Sequence, residues 1–222
     1  MLPSVSPASR GLAGSRKEPQ SGDLFSSDAS HGLAGSGAED ESWLDRPVGT
    51  ILALNGEKAL YGLLIALALV SRLWDLGVRV FSHDETVHAQ WAWYLYRGQG
   101  YAHTPLSHGP FLFHANALSF YLFGDSDFSA RLVPALLGVL LVALPYTMRR
   151  WLGRRGALVT AGLFLISPSM LYYSRYARND VPVVVWTLIF FLALLRYLEA
   201  TADHARARWL IVLAASLSLM FA

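Results

Sequence analysis

LVPALLGVLLVALPYTM, residues 132–148, contains no charged residue, and its reading decides the fold. A helix needs about 20 mainly apolar residues to cross a bilayer, with about 17 as the lower limit, and this run reaches that limit. Two more runs follow it at short intervals. Residues 156–173, GALVTAGLFLISPSMLYY, are again uncharged, and residues 181–198 carry only Arg196, close enough to one end to reach the interface with its head. Upstream, Ala59–Val80 is apolar as far as Val70 and then meets Arg72 and Asp75, whose i,i+3 spacing allows them to pair on a helix. Downstream, Trp209–Ala222 opens a fifth run that is too short to cross, so the chain reads as a piece of a longer protein. The expectation is an all-α integral membrane protein, a multi-span helical bundle with spans near 59–80, 131–148, 156–173, 181–198 and, incomplete, 209–222.

Composition agrees with this class. Of 222 residues, 54% are hydrophobic and 15% charged, too apolar a balance for a soluble domain. The net charge of +2 gives no polyanion-binding surface, which excludes nucleic acid as a partner. There is no cysteine, so disulfides, thiolate chemistry and Cys-based metal sites are excluded. Residues 1–50 stand apart. They are rich in Ser, Gly and Ala, lack a periodic apolar pattern and lack the apolar core of a signal peptide, so they read as a disordered tail ahead of a membrane domain over 51–222.

Arginine placement orients the spans, because positive charge collects in cytoplasmic connectors. Arg149, Arg150, Arg154 and Arg155 lie between the second and third runs, Arg196, Arg206 and Arg208 close to or beyond the end of the fourth, and Arg46 and Lys58 before the first. Those sides face the cytoplasm, as does the N-terminus, in the cell membrane. The long connector 81–130 and the short one around Tyr172–Asp180 then face outward, with Arg175 and Arg178 against the rule.

The outer connector holds Trp91, Trp93, Tyr94, Tyr96 and a run of phenylalanines, the residues that favour the headgroup layer. Helical spacing of Val87, Trp91, Tyr94 and Leu95 predicts an interfacial helix over His83–Arg97, ended by Gly98 and Gly100. A second, Phe111–Phe123, follows Ser107-His108-Gly109-Pro110 and stops at Gly124. At the start of the first stands Ser82-His83-Asp84-Glu85-Thr86-Val87-His88. Ser82 with Glu85 forms a capping box, which explains Glu85 as well as a catalytic role does. The box leaves Asp84 unexplained, and Asp84 is the leading candidate for catalysis, with Glu85 beside it. Asp84, Glu85 and His88 are also candidate ligands of a divalent metal ion, Glu85 and His88 forming Glu-x-x-His. Haem is disfavoured because no span contains a histidine.

On the same face, Arg131, Arg175 and Arg178 offer the forked donors that fit phosphate oxygens, with headgroup binding or snorkelling as the plain alternative. An acidic pair after the first span, a His-Gly-Pro turn, Phe123-Gly124 followed by Ala130-Arg131-Leu132, and Ser174-Arg175-Tyr176-Ala177-Arg178-Asn179-Asp180 together resemble the GT-C membrane glycosyltransferases. That group includes the protein O-mannosyltransferases and the aminoarabinose transferases of lipid A. The chain is most similar to the flippase-activity-associated branch of bacterial and archaeal glycosylation loci, over roughly 59–187.

The resemblance implies a sugar donor on a polyprenyl phosphate, used at the outer face with a membrane lipid, glycan or protein as acceptor. It makes Asp84 the base or a metal-positioning group, supported by Glu85, and lines the donor phosphate with Arg131, Arg175, Arg178 and Asp180. Where the lipid A transferases place a Lys-Pro-Pro-Leu-like segment, this chain has Ser107-His108-Gly109-Pro110, so His108 stands in for the lysine. Two rival readings are a non-catalytic partner of a flippase, which would need the arginines but not Asp84, and a transporter, which would need ionisable groups or broken helices at mid-membrane depth.

Overall fold

The computed structural model describes residues 56–101 and 110–221, which fall within one contact unit, Leu52–Ala222. The expected tail 1–50 and His108 lie outside the described residues. Among the described residues the secondary structure is entirely helical. In chain order the helices are α1 (Gly56–Leu73), α2 (His83–Tyr96), α3 (Pro110–Phe123), α4 (Asp127–Ala143), a 3₁₀ turn (Leu144–Met148), α5 (Arg149–Ile166), α6 (Pro168–Ser174), α7 (Asp180–Glu199) and α8 (Asp203–Met220).

Packing partners reveal the directions of the long helices. Tyr61 and Ala68 of α1 share a cluster with Val139 and Val142 of α4 and Ala161 of α5, and Tyr61 meets Tyr146 edge to ring at 4.9 Å. Low numbers on α1 therefore meet high numbers on α4, so the two run antiparallel. The pairing of Val142 with Ala161, and of Gly138 with Ser174 further along, makes α5 and α6 antiparallel to α4 as well. By contrast, α7 runs parallel to α4: Leu141 and Leu144 pack with Val181 and Val185, and Trp151 reaches Glu199 at the far end. The bundle thus alternates direction, with Glu57, Arg149, Arg150, Arg154 and Glu199 at one end and Glu85, Arg131, Arg178 and Asp180 at the other.

Two helical stretches are long and apolar enough to cross a membrane, Asp127–Ile166 and Asp180–Glu199. The first spans two of the expected runs, because helical assignment continues through the connector that holds the four arginines. Its backbone breaks at Gly153 (φ 70°, ψ 163°), a left-handed value suited to glycine, and the chain reverses there. α1 and α8 fail the same test, α1 because of Glu57, Lys58 and Arg72, α8 because of Asp203, Arg206 and Arg208. Leu63 and Val70 of α1, Val159 and Leu163 of α5 and Ile211 of α8 all point outward, which is the apolar exterior a lipid-facing bundle needs.

Three expectations are corrected. The first predicted run ends as a helix at Leu73, and Asp75 follows with φ 50°, so the segment up to Val80 is turn rather than span. Arg72 does not pair with Asp75. It turns inward, fully buried, and donates to Ser71 Oγ (3.3 Å) and to Phe164 O (3.0 Å). The third run is not one helix either. Pro168 has no N–H for the carbonyl of Phe164, four residues back, so α5 stops at Ile166 and α6 restarts with Ser167 Oγ accepting from Met170 N. Arg72 supplies the donor that Pro168 lacks.

The close approach of α4 to α6 depends on one glycine. A Cβ at Gly138 would stand 2.4 Å from Ser174 Cβ and 2.9 Å from Arg72 Nε, so only the bare backbone fits between them.

Candidate functional site

α2 begins as its capping box requires. Ser82 is extended (φ −76°, ψ 168°), its hydroxyl accepts from Glu85 N, and Glu85 Oε2 accepts from Ser82 N at 3.1 Å. The box is only part of what Glu85 holds. Arg131 donates from Nε to Oε1 at 2.7 Å and from Nη2 to Oε2 at 3.2 Å, a two-point grip, while Ala177 N donates to Oε1 at 3.2 Å and Arg79 Nη2 to Oε2 at 2.9 Å. That makes five N–H donors on a carboxylate with about four lone-pair positions. Both Glu85 and Arg131 are fully buried. Burial alone would raise the Glu85 pKa, but the Arg131 bonds, the Ser82 and Ala177 amides and the Arg131 charge outweigh it and hold it below the ordinary carboxylate value.

Arg131 also donates from Nη1 to the carbonyls of Leu76 (3.1 Å) and Arg79 (2.8 Å), and its guanidinium lies 4.5 Å over the Phe81 ring. The turn that follows α1 is therefore pinned to the start of α4. Arg175 acts likewise from the other side, donating to Ser71 O (3.0 Å), Trp74 O (2.7 Å) and Asp75 O (3.2 Å). Ser71 O is one of the last carbonyls of α1, which have no helical partner, and the other two belong to the turn that follows. Both arginines are expected at a donor phosphate; here Arg131 is engaged by the Glu85 carboxylate and by backbone carbonyls, and Arg175 by backbone carbonyls alone.

Asp84, one residue away, differs. Its side chain is 51% exposed and its Oδ2 accepts from Arg178 Nη1 at 3.1 Å. Arg178 also faces Asp180, Nε to Oδ2 at 3.4 Å. The structure thus brings together Asp84, Glu85, Arg131, Arg178 and Asp180 at one end of the bundle, with Glu85 and Arg131 as its buried base and Asp84, Arg178 and Asp180 as its accessible rim. His88 lies on the buried side of α2, with Nδ1 against Asp84 O (2.8 Å) and its ring stacked on Phe113. The proposed Asp84, Glu85, His88 metal set does not form, because Glu85 has its lone pairs engaged by N–H groups. Among the described residues no group of three His, Asp or Glu is placed to hold a metal.

Sequence reasoning missed Arg79 and Tyr176, and it read Ser82 only as a helix cap. Arg79 reaches Glu85, and its guanidinium sits over the rings of Tyr176 (5.1 Å) and Tyr172 (5.7 Å) while 45% of the side chain stays exposed. Tyr176 and Ser82 share a hydrogen bond between hydroxyls, closing the two outer connectors on each other. Tyr176 stood inside the quoted Ser174–Asp180 string, a signal available but unread. Arg79 had none, being one arginine after an apolar run. Beside it is a cavity of about 360 Å³ with an apolar wall of Leu76, Pro168 and Leu171 and with Arg79, Tyr172 and Arg175 at its polar side.

Residues 107–222 match the sequence model of a family described as dolichyl-phosphate-mannose-protein mannosyltransferase, more than half of the chain. The chain belongs to that family. Its members are membrane-bound glycosyltransferases that depend on a polyprenyl-phosphate sugar. The matched stretch includes Arg131, Arg175, Arg178 and Asp180 but begins after Asp84 and Glu85. It is the ion pairs Arg131–Glu85 and Arg178–Asp84 that join the acidic pair to the family-matched part. No curated protein and no solved structure matches the chain.

Proposed function

We propose that this chain forms the outer-face site of a transferase that moves a sugar from a polyprenyl phosphate to a hydroxyl acceptor, with Asp84 as the general base. The observation that carries it is the contrast within the acidic pair: Glu85 is saturated and buried, whereas the Asp84 side chain is half exposed and, among the described residues, is held by Arg178 alone. In the reaction the acceptor oxygen bonds to the anomeric carbon and passes its proton to Asp84. The bond from that carbon to the phosphate oxygen breaks, and its electron pair leaves with the polyprenyl phosphate. One base and no carboxylate nucleophile means inversion at the anomeric carbon, by analogy with glycoside hydrolysis.

Arg178 and Arg79 take the donor phosphate in place of Arg131, which is fully buried, and Arg175, whose Nη atoms are spent on backbone carbonyls; the Arg178 and Arg79 side chains are 35% and 45% exposed. The apolar cavity beside Arg79 suits the first isoprene units. Asp180 orients Arg178, and His108 keeps the phosphate contact that the family resemblance gives it. In this reading α1 and α8 also cross the membrane, their charges lying near the ends, and the arginine-rich end faces the cytoplasm with the N-terminus. Membership of the flippase-associated branch belongs to the same reading.

The test is transfer of labelled sugar from a polyprenyl-phosphate donor by the full-length protein in proteoliposomes. Asp84→Asn should lower turnover by about 10²–10⁴-fold and leave donor binding in place. Wild-type turnover in that variant would overturn the assignment and favour a non-catalytic partner of a flippase. Retention of anomeric configuration in the product would overturn the single-displacement chemistry.

A further inference from the structure

At the end of the bundle opposite Asp84, a cavity of about 260 Å³ opens between the ends of α7 and α8, lined by Arg150, Arg196, Glu199, Thr201 and Trp209 among others. Glu199 is already engaged there, its Oε2 on Arg150 Nη1 at 3.0 Å and its Oε1 accepting from Trp151 Nε1 at 3.0 Å. Arg196 is placed differently. Its guanidinium lies 5.1 Å from the Trp151 ring and 6.0 Å from the Trp209 ring, and it has no ion pair or hydrogen bond among the described residues. Its Nε is shielded from solvent without an acceptor. A partly buried cation held in position by two indoles, with one N–H unmet and a cavity beside it, lacks an anion.

We propose that this cavity binds the phosphate ester of an anionic lipid headgroup, gripped by Arg196 and Arg150. A phosphate oxygen has the charge and the acceptors that a guanidinium fork requires. Arg150 and Arg196 against the single acid Glu199 leave the lining with a positive charge. Trp151 and Trp209 are the residue type that settles at headgroup depth, and basic pockets between membrane helices on the cytoplasmic side are where anionic headgroups dock. A soluble phosphate ester would satisfy the same donors, so the experiment separates the two sources.

Full-length protein in nanodiscs of mixed phosphatidylglycerol and phosphatidylcholine is released into native mass spectrometry, and retained lipid is counted. Wild type should keep phosphatidylglycerol in preference to phosphatidylcholine, and Arg196→Gln should lose that preference by at least about tenfold. Arg208→Gln, an exposed arginine at the same end that does not line the cavity, should keep it. Equal retention in wild type and Arg196→Gln overturns the proposal, and so does an equal loss in Arg208→Gln, which would reduce the effect to bulk charge. Adding glycerol phosphate resolves the source. Displacement of the lipid by it assigns the site to soluble esters, and persistence of the lipid assigns it to the headgroup in its membrane. If Arg196→Gln gives no folded protein, Arg150→Gln read the same way decides between support and rejection.

Discussion

The two ends of the bundle use the same residue types for opposite purposes. At the end that holds Asp84, Glu85 and Arg131 meet with no solvent exposure on either side chain. At the other end Glu57, its side chain 8% exposed, is gripped by Arg154 at 2.6 Å and faces Arg149 at 3.7 Å, but both cations stay hydrated, with 67% of Arg154 and 43% of Arg149 in solvent. Two charges taken out of water need every donor and acceptor satisfied, and the Glu85 cluster meets that demand with backbone as well as side chains. A charge that stays hydrated needs none of this and fixes little. The first end is therefore a rigid frame built around a carboxylate, on which an accessible base is carried, and the second is a set of adjustable contacts at a surface.

Breaking the frame should give the largest effect. Arg131→Met keeps an unbranched apolar stem and removes the guanidinium with its charge, leaving Glu85 buried with Arg79 as its one cation, and the carbonyls of Leu76 and Arg79 without their donor. Removing one partner of a buried pair costs about 3–5 kcal/mol, a large share of what holds a domain together. Chemical denaturation in detergent micelles should show it as a large fall in the unfolding midpoint. An unchanged midpoint would mean that the buried pair does not hold the outer end together.

Acid should attack the same frame more gently. The folded Glu85 pKa is depressed below its ordinary value of 4.5, so the stability it contributes is present above that value and is lost as pH falls through the lower, folded one. Thermal midpoints of wild type should hold down to about pH 5 and decline below it. Glu85→Gln should start lower at neutral pH and decline less over that same acid range. Parallel declines in the two proteins would show that other carboxylates govern the acid limb.

How much of this was legible in the sequence follows from the same contrast. The helices were, because uncharged runs and interfacial aromatics leave a one-dimensional trace, and α2 and α3 lie within a residue or so of where spacing put them. Asp84 and Glu85 could be singled out, but their division of labour could not. Five donors from four residues converge on Glu85, and one of them, Ala177 N, lies 92 residues away. Arg131 and Arg175 looked suited to phosphate because charge in a sequence does not say which acceptor it finds. Here Arg131 finds the Glu85 carboxylate and the carbonyls of the turn after α1, and Arg175 finds carbonyls at the end of α1 and in that turn. The kink at Pro168 was written in the chain, yet its repair by Arg72 was not, since that contact also spans 92 residues.

The smallest effect should come from the adjustable end, and it tests the comparison from the other side. Arg154→Ala removes a 2.6 Å contact to Glu57, shorter than any other ion pair described, so distance alone would rank it above Arg131. Hydration ranks it far below. The Glu57 side chain is only 8% exposed but keeps Arg149 at 3.7 Å, Arg154 is mostly in solvent, and a pair whose cation stays hydrated contributes about 0–1 kcal/mol and weakens with salt. The unfolding midpoint of Arg154→Ala should therefore stay close to wild type, and the small gap should narrow further as salt is raised. A loss comparable to that of Arg131→Met would show that proximity, not burial, sets the strength of these pairs, and would remove the distinction between frame and surface on which the roles of Glu85 and Asp84 depend.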